Sequence, residues 1–176
     1  MIKFARFNIY LLALLALLTV CGCQSPERKK KKEVTNIALH LETNQDGTER
    51  NEGVPIYRDK TAQFYINVEK DTFLDEGDIE EAKIVDELGG FAIQLKFTWR
   101  GTQLLDGVTS SNRGKRIAVF ARFSKDPRWL GAPIITKHIS NGTFTFTPDA
   151  SREEAERIVR GINNVAKEAK KMDKVW

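Results

Sequence analysis

From residue 36 onward the apolar positions fall mainly into short alternating runs. Ile37, Leu39 and Leu41 alternate with Ala38 and His40, the period of a half-buried strand. Val54–Arg58 is a second short strand, and Phe64, Ile66 and Val68 mark a third. Phe91, Ile93, Leu95 and Phe97 give the cleanest alternation, with Ala92, Gln94, Lys96 and Thr98 on the other face. Ile117–Phe123, Ile134–Ile139 and Thr143–Thr147 read as further strands. Asn141-Gly142 between the last two is a hairpin signal, and Asp46-Gly47 marks an earlier turn.

Two segments follow the helical period instead, and a third begins like one. Asp78–Lys83 reads as a short helical turn, with Asp75, Glu76, Asp78, Glu80 and Glu81 as solvated acids that suit a helix N-terminus. Arg100–Ser110 places Leu104, Leu105 and Val108 on one face and stops at Asn112-Arg113-Gly114, where glycine supplies the positive φ of a C-terminal cap. Ser151-x-x-Glu154 is a capping box. It opens a helix whose apolar face runs through Ala155, Ile158, Val159, Ile162, Val165, Ala166 and Ala169. Strands outnumber helices. The expected fold is α+β: a largely antiparallel sheet with two main helices packed on one face. Trp99 is expected to cap the core where strand meets helix.

The N-terminal end has a different pattern. Phe7–Val20 is an unbroken uncharged run behind Lys3 and Arg6. It is shorter than the about 20 apolar residues of a membrane-spanning helix and suits the apolar part of a signal peptide. It ends in Val20-Cys21-Gly22-Cys23. A small residue before a cysteine, after such a run, resembles the bacterial lipobox, which implies cleavage before Cys23 and lipidation of its thiol. Residues 1–22 are then a signal peptide and 23–35 a lysine-rich tether, with the folded domain at 36–176. Gln24 after the cysteine favours the outer membrane if the cell is Gram-negative. The tether run Arg28–Lys32 either lies on anionic head groups or is a solvated spacer.

Charge changes the picture only once it is located. The chain of 176 residues carries a formal +4. Residues 1–32 hold seven Lys/Arg and one acid, or +6, so residues 33–176 carry 4 − 6 = −2. The basic balance belongs to the N-terminal end, which argues against a nucleic-acid partner. Two cysteines and two histidines exclude a disulfide scaffold and leave little for a metal centre. Gly114-Lys115-Arg116 fails as a phosphate loop, lacking the Ser/Thr. Glu42-x-Asn44-x-Asp46-Gly47 echoes a calcium loop, but Gly53 stands where the bidentate Glu is needed. His40 and His138 have no nucleophile motif near them. No cofactor and no catalytic residue is assigned.

Four blocks over residues 64–169 resemble the first periplasmic (head) domain of SecD, an accessory subunit of the bacterial protein-export channel. They are Asp78-Ile79-Glu80-Glu81-Ala82-Lys83; the Phe91–Phe97 strand leading to Gly101, Thr109, Asn112, Gly114 and Lys115; Ile117-Ala118-Val119 with Ala132-Pro133-Ile134-Ile135 and Ile139; and Phe146 with Glu153-Glu154-Ala155 and Asn163. The sequence departs from that family where Ala121-Arg122-Phe123 replaces its Asp, and where Ser124–Trp129 lengthens a turn. After Cys23 no apolar run is long enough to span a bilayer. Together with the lipobox-like segment ending at Cys23, the resemblance implies a non-enzymatic, lipid-anchored domain facing the periplasm. Its partners would be the bilayer, through the anchor, and an exported polypeptide or envelope protein held at a sheet edge or apolar groove. The rivals are a structural spacer lipoprotein and, lower, an envelope-polymer enzyme. Contact positions are assigned to Trp129, Arg128 and Leu130 in the longer turn and to Ile79. For Trp129, packing within its own loop is the competing reading.

Overall fold

A computed structural model describes residue 30 and residues 33–58, 62–123 and 126–172. Cys23, the signal peptide and most of the tether lie outside the described residues. Among the described residues nine strands form three sheets: β1 (Thr35–Leu41), β2 (Asn51–Arg58), β3 (Ala62–Glu69), β4 (Leu74–Asp75), β5 (Ile79–Glu87), β6 (Gly90–Phe97), β7 (Ile117–Phe123), β8 (Asp126–Gly131) and β9 (Thr143–Phe146). Two helices lie wholly within the described residues, α1 (Trp99–Ser111) and α2 (Arg152–Met172). The sheet orders are β4-β1-β7-β8, β2-β3 and β5-β6-β9, and their pairings are antiparallel. The α+β class holds, built from three sheets rather than one.

Alternation decides which face each strand buries. Ile37, Leu39 and Leu41 of β1 join Ile117, Val119, Ala121 and Phe123 of β7 in the main core, with Ile93, Leu95 and Phe97 of β6 and Ile158 and Ile162 of α2. The other face of β7 supplies Ala118 to a second, smaller core. There the β2–β3 hairpin lays down Val54, Ile56, Ile66 and Val68, with Ala132 and part of Trp129. Segment 36–58 is thereby divided: β1 is a central strand, and β2 belongs to the hairpin.

Helix α2 runs antiparallel along β5 and is tied to it at three levels. Arg152 pairs with Asp86 at 2.6 Å, Asn163 bonds Ala82, and Lys170 lies 3.5 Å from Glu80. Its start uses the expected cap: the Glu154 N–H donates to Ser151 Oγ at 3.2 Å. Closer to β1 the helix has no room for a side chain. A Cβ on Gly161 would lie 2.8 Å from both the Cβ and the backbone nitrogen of Thr35.

Several expectations give way. Asp78–Lys83 is not helical beyond a 3-10 turn, Glu76–Asp78, and its remainder starts β5. A register shift between Ile79 and Glu81 puts Ile79 and Ala82 on the buried side three residues apart. A bulge of this kind imitates helical spacing. Ile134–Ile139 is not a strand. Ile134 makes one isolated bridge to Arg116, and the Ile139 N–H donates to Thr109 Oγ1 of α1 at 2.9 Å. Gly142 does take a positive φ of 65°. The turn there serves β6, because the Phe97 N–H donates to its carbonyl at 2.9 Å, and β9 pairs with β6. Trp99 is 80% exposed and caps nothing; the buried residues of α1 are Gly101, Leu105 and Thr109, with Leu104 left outside.

Candidate functional site

Ile79 and Leu130 are 3% and 0% exposed. Both are core residues, so neither side chain is presented to a partner. Ser124–Trp129 is no simple loop extension either: residues 126–131 form β8, the edge strand of the central sheet. Trp129 therefore projects from a strand. Its ring meets His40 edge-on at 5.1 Å and Phe120 at 5.1 Å, packed toward the hairpin. The indole is half-buried and packs within the fold. His40 itself is held by a 2.8 Å contact between Nδ1 and the Glu69 carbonyl. His138 pairs with Asp106 on α1, on a different part of the chain.

Arg128 ties the β8 edge down. Its Nη2 donates to Glu154 Oε2 of α2 at 2.7 Å and to the Asp149 carbonyl at 2.9 Å. The Asp149 N–H donates in turn to the Leu130 carbonyl at 2.6 Å. Pro127 has no N–H to offer. The edge is thus occupied at Leu130 and interrupted at Pro127, which removes the regular ladder that strand addition needs. The β5 edge is similarly occupied at Ala82 by Asn163.

What remains beside β8 is an open cleft of about 750 Å³ between the β2–β3 hairpin, the end of β8 and the loop into α2. Tyr57 and Phe64 form its hairpin wall, Ala132 and Pro133 its floor, and Pro148 and Ala150 its far side. Arg116 anchors the wall. Its Nη1 donates to the Ala132 carbonyl at 2.8 Å, and its guanidinium lies 5.2 Å from the Phe64 ring centroid. Tyr57 and Phe64 are 39% and 36% exposed; Phe64 shares the inner face with its cross-strand partner Ile56 and with buried Ile66, while Tyr57 alternates onto the other face. Sequence reading missed this cleft. Its one legible signal was the pair of aromatics, Tyr57 and Phe64, flanking the hairpin turn, and its walls come from segments some 90 residues apart (Ile56 to Pro148).

Among the described residues, no group of three or more His, Cys, Asp and Glu side chains is placed to hold a metal ion. No helix among them is long and apolar enough to cross a membrane. The perturbed carboxylates are structural. Lys96 and then Lys170 hold Glu80 below its ordinary value, and Arg152 does the same for Asp86. A carboxyl with a lowered folded pKa stabilises the fold above its unfolded pKa, and that contribution is lost as pH falls through the folded value. Acid is therefore expected to loosen α2 from β5. The Glu80→Gln/Asp86→Asn double variant should lose less of its urea midpoint between pH 6 and pH 3 than the parent. The difference should shrink in 0.5 M salt, since these pairs are exposed. Equal acid sensitivity of the two proteins would refute this.

The blocks quoted from the sequence occupy the joints of the fold. Asp78 is 2% exposed and accepts from Arg100 Nη1 at 2.6 Å; its carbonyl accepts from the Thr98 N–H at 2.8 Å. Gly101 packs so closely that a Cβ there would stand 3.0 Å from the Asp78 Cβ and carbonyl. Gly114 turns with φ 88° while its N–H donates to the Ile135 carbonyl at 2.9 Å. Asn163 reaches Ala82. Asp78, Gly101, Gly114 and Asn163 specify architecture and do not line the cleft, whereas Ala132 and Pro133 of the third block do.

The family described as SecDF, P1 head subdomain, matches residues 52–164. The match opens within β2, so the hairpin that walls the cleft lies inside it. A SecDF structure, described as a membrane component that enhances protein export, aligns at a TM-score of 0.57 and 19% identity over 82% of this chain and 71% of that one. At that identity the likeness establishes the fold. Two longer SecDF chains align at lower scores. One is in a super-membrane-facing form (TM-score 0.47, 16% identity, 92% of this chain). The other is a translocon-associated membrane protein from Thermus thermophilus (TM-score 0.42, 19% identity, 90% of this chain). This chain spans about a third of their length, 33% and 34%. No curated protein sequence matches the chain.

Proposed function

The chain belongs to the SecDF P1 head subdomain family, and from that membership we propose that it is a non-enzymatic head domain, anchored to the envelope by lipid on Cys23, that holds an apolar segment of another protein chain in the cleft beside β8. The observation that carries the reading is the cleft itself. It presents the half-exposed Phe64 with the Arg116 guanidinium against its ring, with Tyr57 at the rim, next to a sheet edge already occupied. Aromatic rings on a rigid wall supply contact area at low entropic cost. A groove of this kind selects an apolar side chain without reading a sequence, as a domain that meets many exported chains requires. Trp129 and Arg128 then act indirectly, one supporting the hairpin and the other fixing the loop opposite it.

Photo-crosslinking in cells tests this, with the probe at Tyr57 and a control probe at Leu88, the exposed tip of the β5–β6 turn. The wild-type anchor stays in place. Exported polypeptides or components of the export channel should crosslink at Tyr57 and not at Leu88. Recovery of the same proteins at both positions, or of none at either, would leave the domain a spacer and end the binding reading.

A further inference from the structure

We infer that the C-terminal half of α2 is a docking face for anionic lipid head groups, and that the contacts around Glu33 hold the domain with this face toward the membrane from which its tether comes. The inference rests on the lipid-anchored reading for the source of the membrane. Its charge argument stands on the described residues alone.

The first observation is where the tether meets the domain. Asn164 Nδ2 donates to the carbonyls of Lys30 and Glu33, at 3.0 and 2.9 Å. The Glu33 carboxylate accepts from Arg160 Nε at 3.0 Å and lies 3.8 Å from Arg157 Nε. The chain entering the domain is thus held on the outer face of α2. Cys23 stands seven residues before Lys30. Seven residues reach at most about 25 Å, so a lipidated Cys23 keeps this helix within that distance of the bilayer surface.

The second observation is the charge along that face. Arg160, Asn164, Lys167 and Lys171 recur at i, i+4, i+7 and i+11, one stripe of a helix, opposite the buried Ile158, Ile162 and Ala166. Beyond the Asn164 contact, toward the C-terminus, it carries Lys167 and Lys171, flanked by Lys170, which pairs with Glu80 of β5, and Glu168 is the one acid on this half of the helix. Toward the N-terminus Glu153 and Glu156 share it with Arg157 and Arg160, the two arginines that meet Glu33. Lys167 makes no ion pair among the described residues, and the Lys171 partner is Glu168 on the same helix. Met172 follows at 66% exposure. The helix is therefore basic at its C-terminal end and balanced in charge at its N-terminal end, three arginines against three glutamates, with the tether contact between. An anionic surface attracts the first and exerts no net pull on the second. Cations near such a surface gain about 1 kcal/mol each, roughly fivefold in binding. That term orients a domain which the anchor has already brought to the membrane.

The full-length chain, reconstituted into vesicles, tests this. An environment-sensitive fluorophore is placed at Met172→Cys, with a control at Glu52→Cys on the β2–β3 hairpin across the central sheet, and quenched by bromine-labelled lipid. With phosphatidylglycerol in the vesicles the label at 172 should be quenched and the label at 52 should not. Half a molar salt should abolish the difference, and Lys167→Glu/Lys171→Glu should weaken it about tenfold or more. Equal quenching at both positions, or equal quenching at 172 in phosphatidylcholine vesicles, would overturn the docking face. The mass of the purified protein reports acylation separately. Protein that lacks acyl chains but still shows selective, salt-sensitive quenching at 172 would sustain the docking face and reject the anchor.

Discussion

Replacing Asn163 with leucine should lower the stability of the domain by about 3 kcal/mol, with a fall of roughly 6–12 °C in melting temperature. The side-chain amide of Asn163 makes both bonds that a neighbouring strand would make to Ala82. Its Oδ1 accepts from the Ala82 N–H at 2.9 Å, and its Nδ2 donates to the Ala82 carbonyl at 2.8 Å. Ala82 is buried on the edge strand of its sheet. Leucine has similar volume and neither group, so the variant leaves a donor and an acceptor without partners, each costing about 1–3 kcal/mol when buried. Asn163→Asp keeps an acceptor but faces a carbonyl with a carboxylate, and should fall between. Hydrogen exchange at the Ala82 amide separates this from a general loosening: its protection should drop more than that of Leu95 on the adjacent strand. A leucine variant that melts within a degree or two of the parent, with Ala82 still protected, would show that the amide is dispensable.

The same pair shows what the sequence made legible. Ala82 and Asn163 both stood in the blocks that resemble the SecD head, 81 residues apart, and neither has a conspicuous property of its own. Strands β1, β3 and β6 could be read because their alternation is set by a core on one face. Helix α2 could be read because its apolar stripe persists over several turns. Start of β5 could not, since the bulge after Ile79 breaks the two-residue period. Asp78 looked like one of several solvated acids, yet it is buried under Arg100; only the tertiary approach of α1 distinguishes it from Glu80. Trp129 carried a contact expectation because it sat in a segment longer than the family's. That segment pairs with β7 instead, which turns the indole onto the hairpin. The cleft was beyond reach for the same reason: its walls come from β2, β3, β8 and the loop before α2, and local pattern says nothing of such pairings.

Gly161→Ala should cost about 2–3 kcal/mol, at the upper part of the range for overpacked sites, although alanine is the better helix former by nearly 1 kcal/mol. The opposition of these two effects makes the variant informative. Helix α2 crosses β1 at Thr35, which is 1% exposed, and an alanine methyl would stand 2.8 Å from the Thr35 Cβ and from its backbone nitrogen. A rotamer change can move Oγ1 aside. The Cβ and the nitrogen move only with the strand, and β1 is held across its length by seven residue pairs with β7. The helix must yield, and with it the Asn163 contact two residues on and the Asn164 contact to the tether three residues on. Thr35→Ala should recover less than half of the loss, because it removes Oγ1 and leaves both other atoms in place. A double-mutant cycle from urea midpoints measures this. Full recovery in the double variant would place the clash on the hydroxyl alone. Stabilisation by Gly161→Ala would mean that helix propensity outweighs the contact and that α2 lies farther from β1 than this packing requires.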